Sequence, residues 1–149
     1  MKPGIYRIVD ANLNRSREGL RVCEEIARFA LDSKPLTSGL KSVRHGIFDI
    51  VKKHSGALSR LSQSRDSDGD VLRCSRFESE MKRRGLADIF AANIERSKES
   101  LRVLEEIFKL VDVKSSSKLC SLRFKVYAIE KKATSSLRAP KGRSNLRKV

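Results

Sequence analysis

ANLNRSREGLRVCEEIARF, residues 11–29, and ANIERSKESLRVLEEIFKL, residues 92–110, are one segment written twice. Aligned without gaps at an offset of 81, they share eleven of nineteen positions, which chance does not produce in 149 residues. A second pair follows at an offset of 79. LKSVRHGIFDIVKK, residues 40–53, matches LCSLRFKVYAIEKK, residues 119–132, in Leu, Ser, Arg, Ile and the Lys-Lys pair. The repeating unit is therefore a pair of elements, and two copies are too few for a solenoid.

Each element reads as a helix. At about 100° per residue the first has an apolar arc of Leu13, Leu20, Cys23, Ile26, Ala27, Ala30 and Leu31, with Glu18, Arg21, Glu24, Glu25 and Arg28 mostly opposite. The second carries Leu40, Val43, Ile47, Phe48, Ile50 and Val51, with Pro35 and Thr37 or Ser38 as start signals. Ser75 and Glu78 form a capping-box pattern that starts the third, which runs to about Asp112 with Gly85 as a candidate kink. The fourth follows a break at Ser115-Ser116-Ser117 and reaches about Leu137. Strand-like alternation is missing. Two hairpins with one apolar side each bury it by packing together, so the expected fold is all-α: a four-helix bundle from a duplicated helical hairpin with approximate two-fold symmetry. It should span residues 1–137, with a long link from about Ser55 to Cys74 and a flexible basic tail over 138–149.

Composition narrows the partners. The chain has 33 Lys and Arg against 18 Asp and Glu, a formal charge of +15, and stays basic without its tail. It should attract anions: nucleic acid, anionic lipid or phosphorylated metabolites. Cys23, Cys74 and Cys120 are odd in number and off metal-ligand spacing, which argues against a disulfide framework or structural zinc. No apolar run reads as a signal peptide or a membrane span, so a reducing cytoplasm is the expected location.

The informative residues break the helix pattern. Asn12, Arg15 and Ser16 fall on the apolar arc of the first helix with Gly19 beside them, and the second copy keeps Asn93, Arg96 and Ser97 with Ser100 at the glycine position. An arginine on a packing face is costly unless paired. Either these groups bond to helix ends or to Glu18 and Glu99, or they form an anion site between the halves. Arginine suits phosphate because its planar fork donates two parallel bonds, and Gly19 would let a ligand or a neighbouring helix come close. In the link, Arg65-Asp66-Ser67-Asp68-Gly69-Asp70 alternates acids in a basic chain. It is not an EF-hand loop, because Val71 stands at the glycine position and the terminal Glu is out of register. It is either a solvated turn or a loop that holds Mg²⁺ through Asp66 and Asp70, with Arg65 on phosphate. Arg44 recurs as Arg123 while His45 becomes Phe124; Glu24-Glu25 and Glu105-Glu106 read as helix-face charges with basic partners one turn away. A Gly-rich phosphate loop, a nucleophile elbow and a metal-binding His pair are all missing.

RIVDANLNRSREGLRVCEEIARF (7–29), LKSVRH (40–45), the acidic segment at 65–71 and ANIERSKESLRVLEE (92–106) occur in the order of a known family. The chain resembles the helical hydroxymethylpyrimidine phosphate kinase, often an N-terminal domain fused to thiamine phosphate synthase. The resemblance implies ATP- and Mg²⁺-dependent phosphorylation of a pyrimidine monophosphate to its diphosphate in thiamine synthesis, poor action on the free alcohol, and a thiamine phosphate synthase partner. Leu72 departs from the family's glycine after Asp-Val, and no synthase sequence follows within 149 residues, so the tail reads as a remnant linker or a true end. From the residues, Arg15, Arg96 and Arg65 are the expected catalytic cations, Asn12, Asn93, Gly19 and Arg44 the substrate-binding groups, and Asp66 and Asp70 the metal ligands. Two other readings stand beside the kinase: a non-catalytic accessory domain that binds thiamine precursors or docks on a synthase, and a basic nucleic-acid-binding protein. Scarce aromatics and arginines on packing faces argue against the last. A homodimer is compatible with the sequence.

Overall fold

The computed structural model describes residues 3–54, 58–65 and 82–138. Among them the chain is all-helical: α1 (Pro3–Phe29), α2 (Lys34–His54), α3 (Leu58–Gln63), α4 (Leu86–Phe108) and α5 (Val113–Arg138). The short α3 lies in the link, where the sequence suggested only a connection. None of these helices is long and apolar enough to cross a membrane.

Local chemistry sets the ends. α1 closes as Asp32 enters the left-handed region at φ 47°, which Asp tolerates better than most residues, and the Ser33 N–H donates back to the Ala27 carbonyl at 3.0 Å. Pro35 lies in the first turn of α2, but the cap is Ser33 rather than Thr37 or Ser38: its hydroxyl accepts from the Leu36 N–H at 3.5 Å and its carbonyl from the Thr37 N–H at 3.0 Å. The α4–α5 connection is tighter than the expected serine break. Asp112 caps α5 by accepting from the N–H groups of Lys114 (3.2 Å) and Ser115 (3.1 Å), so Ser115 and Ser116 are buried in the helix's first turn. Gly85 stands at the start of α4 rather than at a kink; Ser75 and Glu78, the expected cap, lie outside the described residues.

α1 packs on α2 and on α4; α5 packs on α4 and on α2; α3 rests on α1. The core is aliphatic, with Val9, Leu13, Leu20, Leu40, Ile47, Ile94, Leu101, Leu104 and Leu119 buried beside Phe90 and Phe108. The α1–α4 crossing is antiparallel: Ser97 Oγ donates to the Ser16 carbonyl at 3.3 Å, and Cys23 Sγ lies 3.6 Å from the Phe90 carbonyl. Burial pushes the Cys23 thiol up to about 12, so it is an inert core group.

Gly19 makes this crossing possible. A Cβ there would stand 2.6 Å from the Asn93 carbonyl oxygen, which belongs to a helix backbone and cannot swing away. Gly19→Ala gains about 1 kcal/mol of helix propensity, but overpacking costs about 1–3 kcal/mol. The net result expected is a lower urea midpoint with unchanged helical content. A midpoint that stays or rises would mean the crossing can loosen freely.

Candidate functional site

Two surface clefts, each of about 470 Å³, lie at corresponding positions of the two sequence repeats. The first is lined by Asn14, Arg17, Glu18 and Arg21 of α1 with Arg44 of α2, beside Val22. The second is lined by Glu95, Lys98, Glu99 and Arg102 of α4 with Arg123 and Tyr127 of α5. Asn14, Arg17, Glu18 and Arg21 have their counterparts 81 positions on, and Arg44 has its counterpart 79 on.

Beneath each cleft lies a buried carboxylate. Glu24 is 4 % exposed and accepts from Arg44 Nε at 3.0 Å and Arg21 Nη1 at 3.2 Å. Glu105 is 5 % exposed and accepts from Arg123 Nε at 2.9 Å and Arg102 Nη1 at 2.6 Å. The bond to Glu105 holds the Arg123 guanidinium pKa above its ordinary value, against the effect of burial. These two glutamates, which the sequence presents as helix-face charges, are the pillars of the inter-helix contacts. The legible signal was the arginine kept in both copies of the second element.

The clefts differ in how their central cation is treated. Lys98 sits between Glu95 at 2.6 Å and Glu130 at 2.9 Å, with Tyr127 5.5 Å away. Burial works against its charge, but hydrogen bonds to Glu130 and Glu95 outweigh that and raise its pKa. Arg17, its counterpart, lies 4.7 Å over the Phe48 ring, and its Nε is buried without a hydrogen-bond partner. The positions equivalent to Glu95 and Glu130 are Asn14 and Val51. Arg17 and its cleft were missed because a basic residue beside Glu18 reads as a solvated helix face.

The residues singled out from the sequence do not converge on one cleft between the halves. Arg15 and Arg96 are exposed rather than on the packing stripe, because each lies at the edge of the apolar arc. Arg15 shares the α1 face of Glu18 and Val22, three and seven residues on, so it neighbours the first cleft. Asn12 and Asn93 spend their amides inside their own helices, on the carbonyls of Ile8 (2.9 Å) and Ile89 (2.8 Å). Gly19 is filled by the neighbouring helix and is closed to a ligand. Arg44 does line a cleft, with its Nε engaged by Glu24. Arg65 is not free for phosphate: it grips Asp10 through Nε (2.8 Å) and Nη2 (2.9 Å), fastening the exit of α3 to α1. That bond, with Glu18 contributing, raises the Arg65 pKa. Asp10 is one turn from Asn14, 3.4 Å between their side chains, so the chain leaves α3 beside the first cleft. Asp66 and Asp70 lie outside the described residues. Among the described residues no three metal-ligating side chains cluster.

The chain is a member of the ThiD2 family, whose sequence model matches residues 7–132. It is similar to proteins named thiamine-phosphate synthase: 39% identical over 124 residues to that of Rhodopirellula baltica, covering 83% of this chain and 32% of the relative. The Synechocystis sp. protein is 40% identical over 126 residues (85% of this chain, 35% of the relative), and that of Nostoc punctiforme 36% over 126 (85% and 34%). The chain thus spans about a third of the length of the curated relatives it matches. No solved structure matches it. The family context is thiamine biosynthesis.

Proposed function

We propose that this domain transfers the γ-phosphoryl group of ATP to hydroxymethylpyrimidine phosphate, on a duplicated-hairpin bundle of approximate two-fold symmetry. The observation that carries this reading is the first cleft, whose arginines include one with a buried donor left unsatisfied. The chemistry asks for little else. The acceptor is a phosphate monoester with a second pKa of about 6, mostly dianionic at neutral pH, so it needs no strong base. An acceptor phosphate oxygen bonds to the γ-phosphorus, the bond from that phosphorus to the β-bridging oxygen breaks, and ADP leaves. The obstacle is the approach of two polyanions, which fixed cations relieve.

In this reading Arg17, Arg21 and Arg44 hold the acceptor phosphate, and exposed Arg15, on the same helix face, meets the nucleotide. Mg²⁺ commonly takes one or two protein carboxylates and completes its shell with substrate phosphates and water. Glu18, an exposed carboxylate in the first cleft, fits that role, and in sequence Asp66 and Asp70 come one and five residues after the anchored Arg65. When bound, the ion supplies charge neutralisation across the phosphates.

The purified chain is incubated with ATP, Mg²⁺ and the pyrimidine monophosphate or its free alcohol, and ADP is followed. Turnover of the monophosphate, with the alcohol far poorer, is expected, because the alcohol leaves the arginines unmatched. Equal turnover of both would sink the phosphate-anchoring argument. A second reading, a non-catalytic partner of thiamine-phosphate synthase, draws on the names of relatives of which the chain spans about a third. Saturable binding of the monophosphate without turnover selects it.

A further inference from the structure

Duplication suggests two equivalent ligand sites, and the two clefts agree in volume and in most of their residues. Among their differences, two act on the central cation: Asn14 stands where the second has Glu95, and behind the lining Val51 stands where the second has Glu130. In the second cleft Glu95 and Glu130 close on Lys98 at 2.6 and 2.9 Å. In the first, the same positions are Asn14 and Val51, which carry no charge, and Arg17 has a buried Nε without a partner. A buried N–H donor without an acceptor is costly, and an incoming anion removes that cost. In the second cleft an anion would first have to displace two carboxylates that are already in place.

We infer that the chain holds one phosphate-monoester seat, the first cleft, and that Glu95 and Glu130 act as built-in counter-ions that keep its duplicate empty. Of the three arginines that line the cleft, Arg21 and Arg44 are held by Glu24 and only Arg17 is without a carboxylate, which matches one phosphoryl group; a triphosphate would call for more unmatched cations in the lining. The cleft is therefore assigned to the acceptor phosphate rather than to the nucleotide. This deepens the reading of the first cleft as the acceptor site and rests on it, but it is decided by binding and not by turnover.

The test titrates the full chain with inorganic phosphate in Mg²⁺-free buffer, followed by calorimetry and phosphorus NMR. One site per chain is expected. Arg17→Met should weaken binding at least tenfold with unchanged circular dichroism. The Glu95→Asn/Glu130→Val double variant should bind a second phosphate. If that variant fails to fold, Asn14→Glu, which adds a counter-ion beside Arg17 on an accessible side chain, should weaken binding several-fold. Two sites in the wild type, undiminished binding in Arg17→Met, or a folded double variant with one site would each overturn the inference. So would undiminished binding in Asn14→Glu. Displacement of phosphate by the pyrimidine monophosphate supports the acceptor assignment; displacement by ATP alone overturns it. Phosphate binding without turnover leaves this inference standing and removes the kinase reading, whereas turnover that survives Arg17→Met does the reverse.

Discussion

Glu105→Ala will destabilise the fold by about 3 kcal/mol, the lower end of the cost of orphaning one partner of a buried ion pair. Glu105 is 5 % exposed and receives bonds from both Arg123 and Arg102. Its loss leaves the mostly buried Arg123 with Tyr127 Oη at 2.8 Å as its remaining oxygen partner. Arg102 loses less, because it is half exposed and still reaches Glu106 at 2.7 Å. Urea unfolding measures the effect. The double variant Glu105→Ala/Arg123→Met should recover part of the loss, because it removes the stranded charge as well as its partner. A double variant no more stable than the single would mean the cost lies in packing around Glu105 and not in the ion pair.

Arg17→Met should lower turnover of the pyrimidine monophosphate about 10²–10³-fold, the usual effect of removing one preorganised donor at a charged reacting group. Methionine keeps an unbranched apolar stem about as far as the arginine Nε while removing the guanidinium, and with it the cation over the Phe48 ring. Discrimination between monophosphate and alcohol should shrink with it, since the alcohol never used that cation. Steady-state kcat/KM for both acceptors, measured on wild type and variant, checks this. A variant that is slower on both substrates with its discrimination intact would move the acceptor phosphate away from Arg17.

The all-helical character of the described residues was legible because the hydrophobic period and the gapless repeat are both large-scale signals. Leu20, Cys23, Leu40 and Ile47, read as core from spacing alone, are all buried. The boundaries were less legible. The Ser115–Ser117 run looks like a break, yet Asp112 offers a stronger cap and Ser115 and Ser116 turn inward, Ser116 Oγ donating to the Glu105 carbonyl at 2.8 Å. The site was harder still. Arg15 and Arg96 lie where a helical wheel cannot separate a packing face from its rim, and a few tens of degrees decide between burial and solvent. Glu24 and Glu105 look like surface charges until a second helix brings Arg44 and Arg123 onto them. That pairing depends on the α1–α2 and α4–α5 contacts, which local spacing does not encode.

The antiparallel contact of α1 with α4, in which Ser97 reaches Ser16 and Cys23 reaches Phe90, joins two segments of nearly the same sequence. A surface that fits a turned-over copy of itself is what an isologous homodimer uses. Joining the copies in one chain makes the encounter intramolecular, so the assembly no longer depends on protein concentration. It also ends the identity of the subunits. In a true homodimer every substitution appears twice, so a carboxylate that disables one cleft would disable both. The tandem chain escapes that constraint, and Glu95 and Glu130 can stand in one half while Asn14 and Val51 stand in the other.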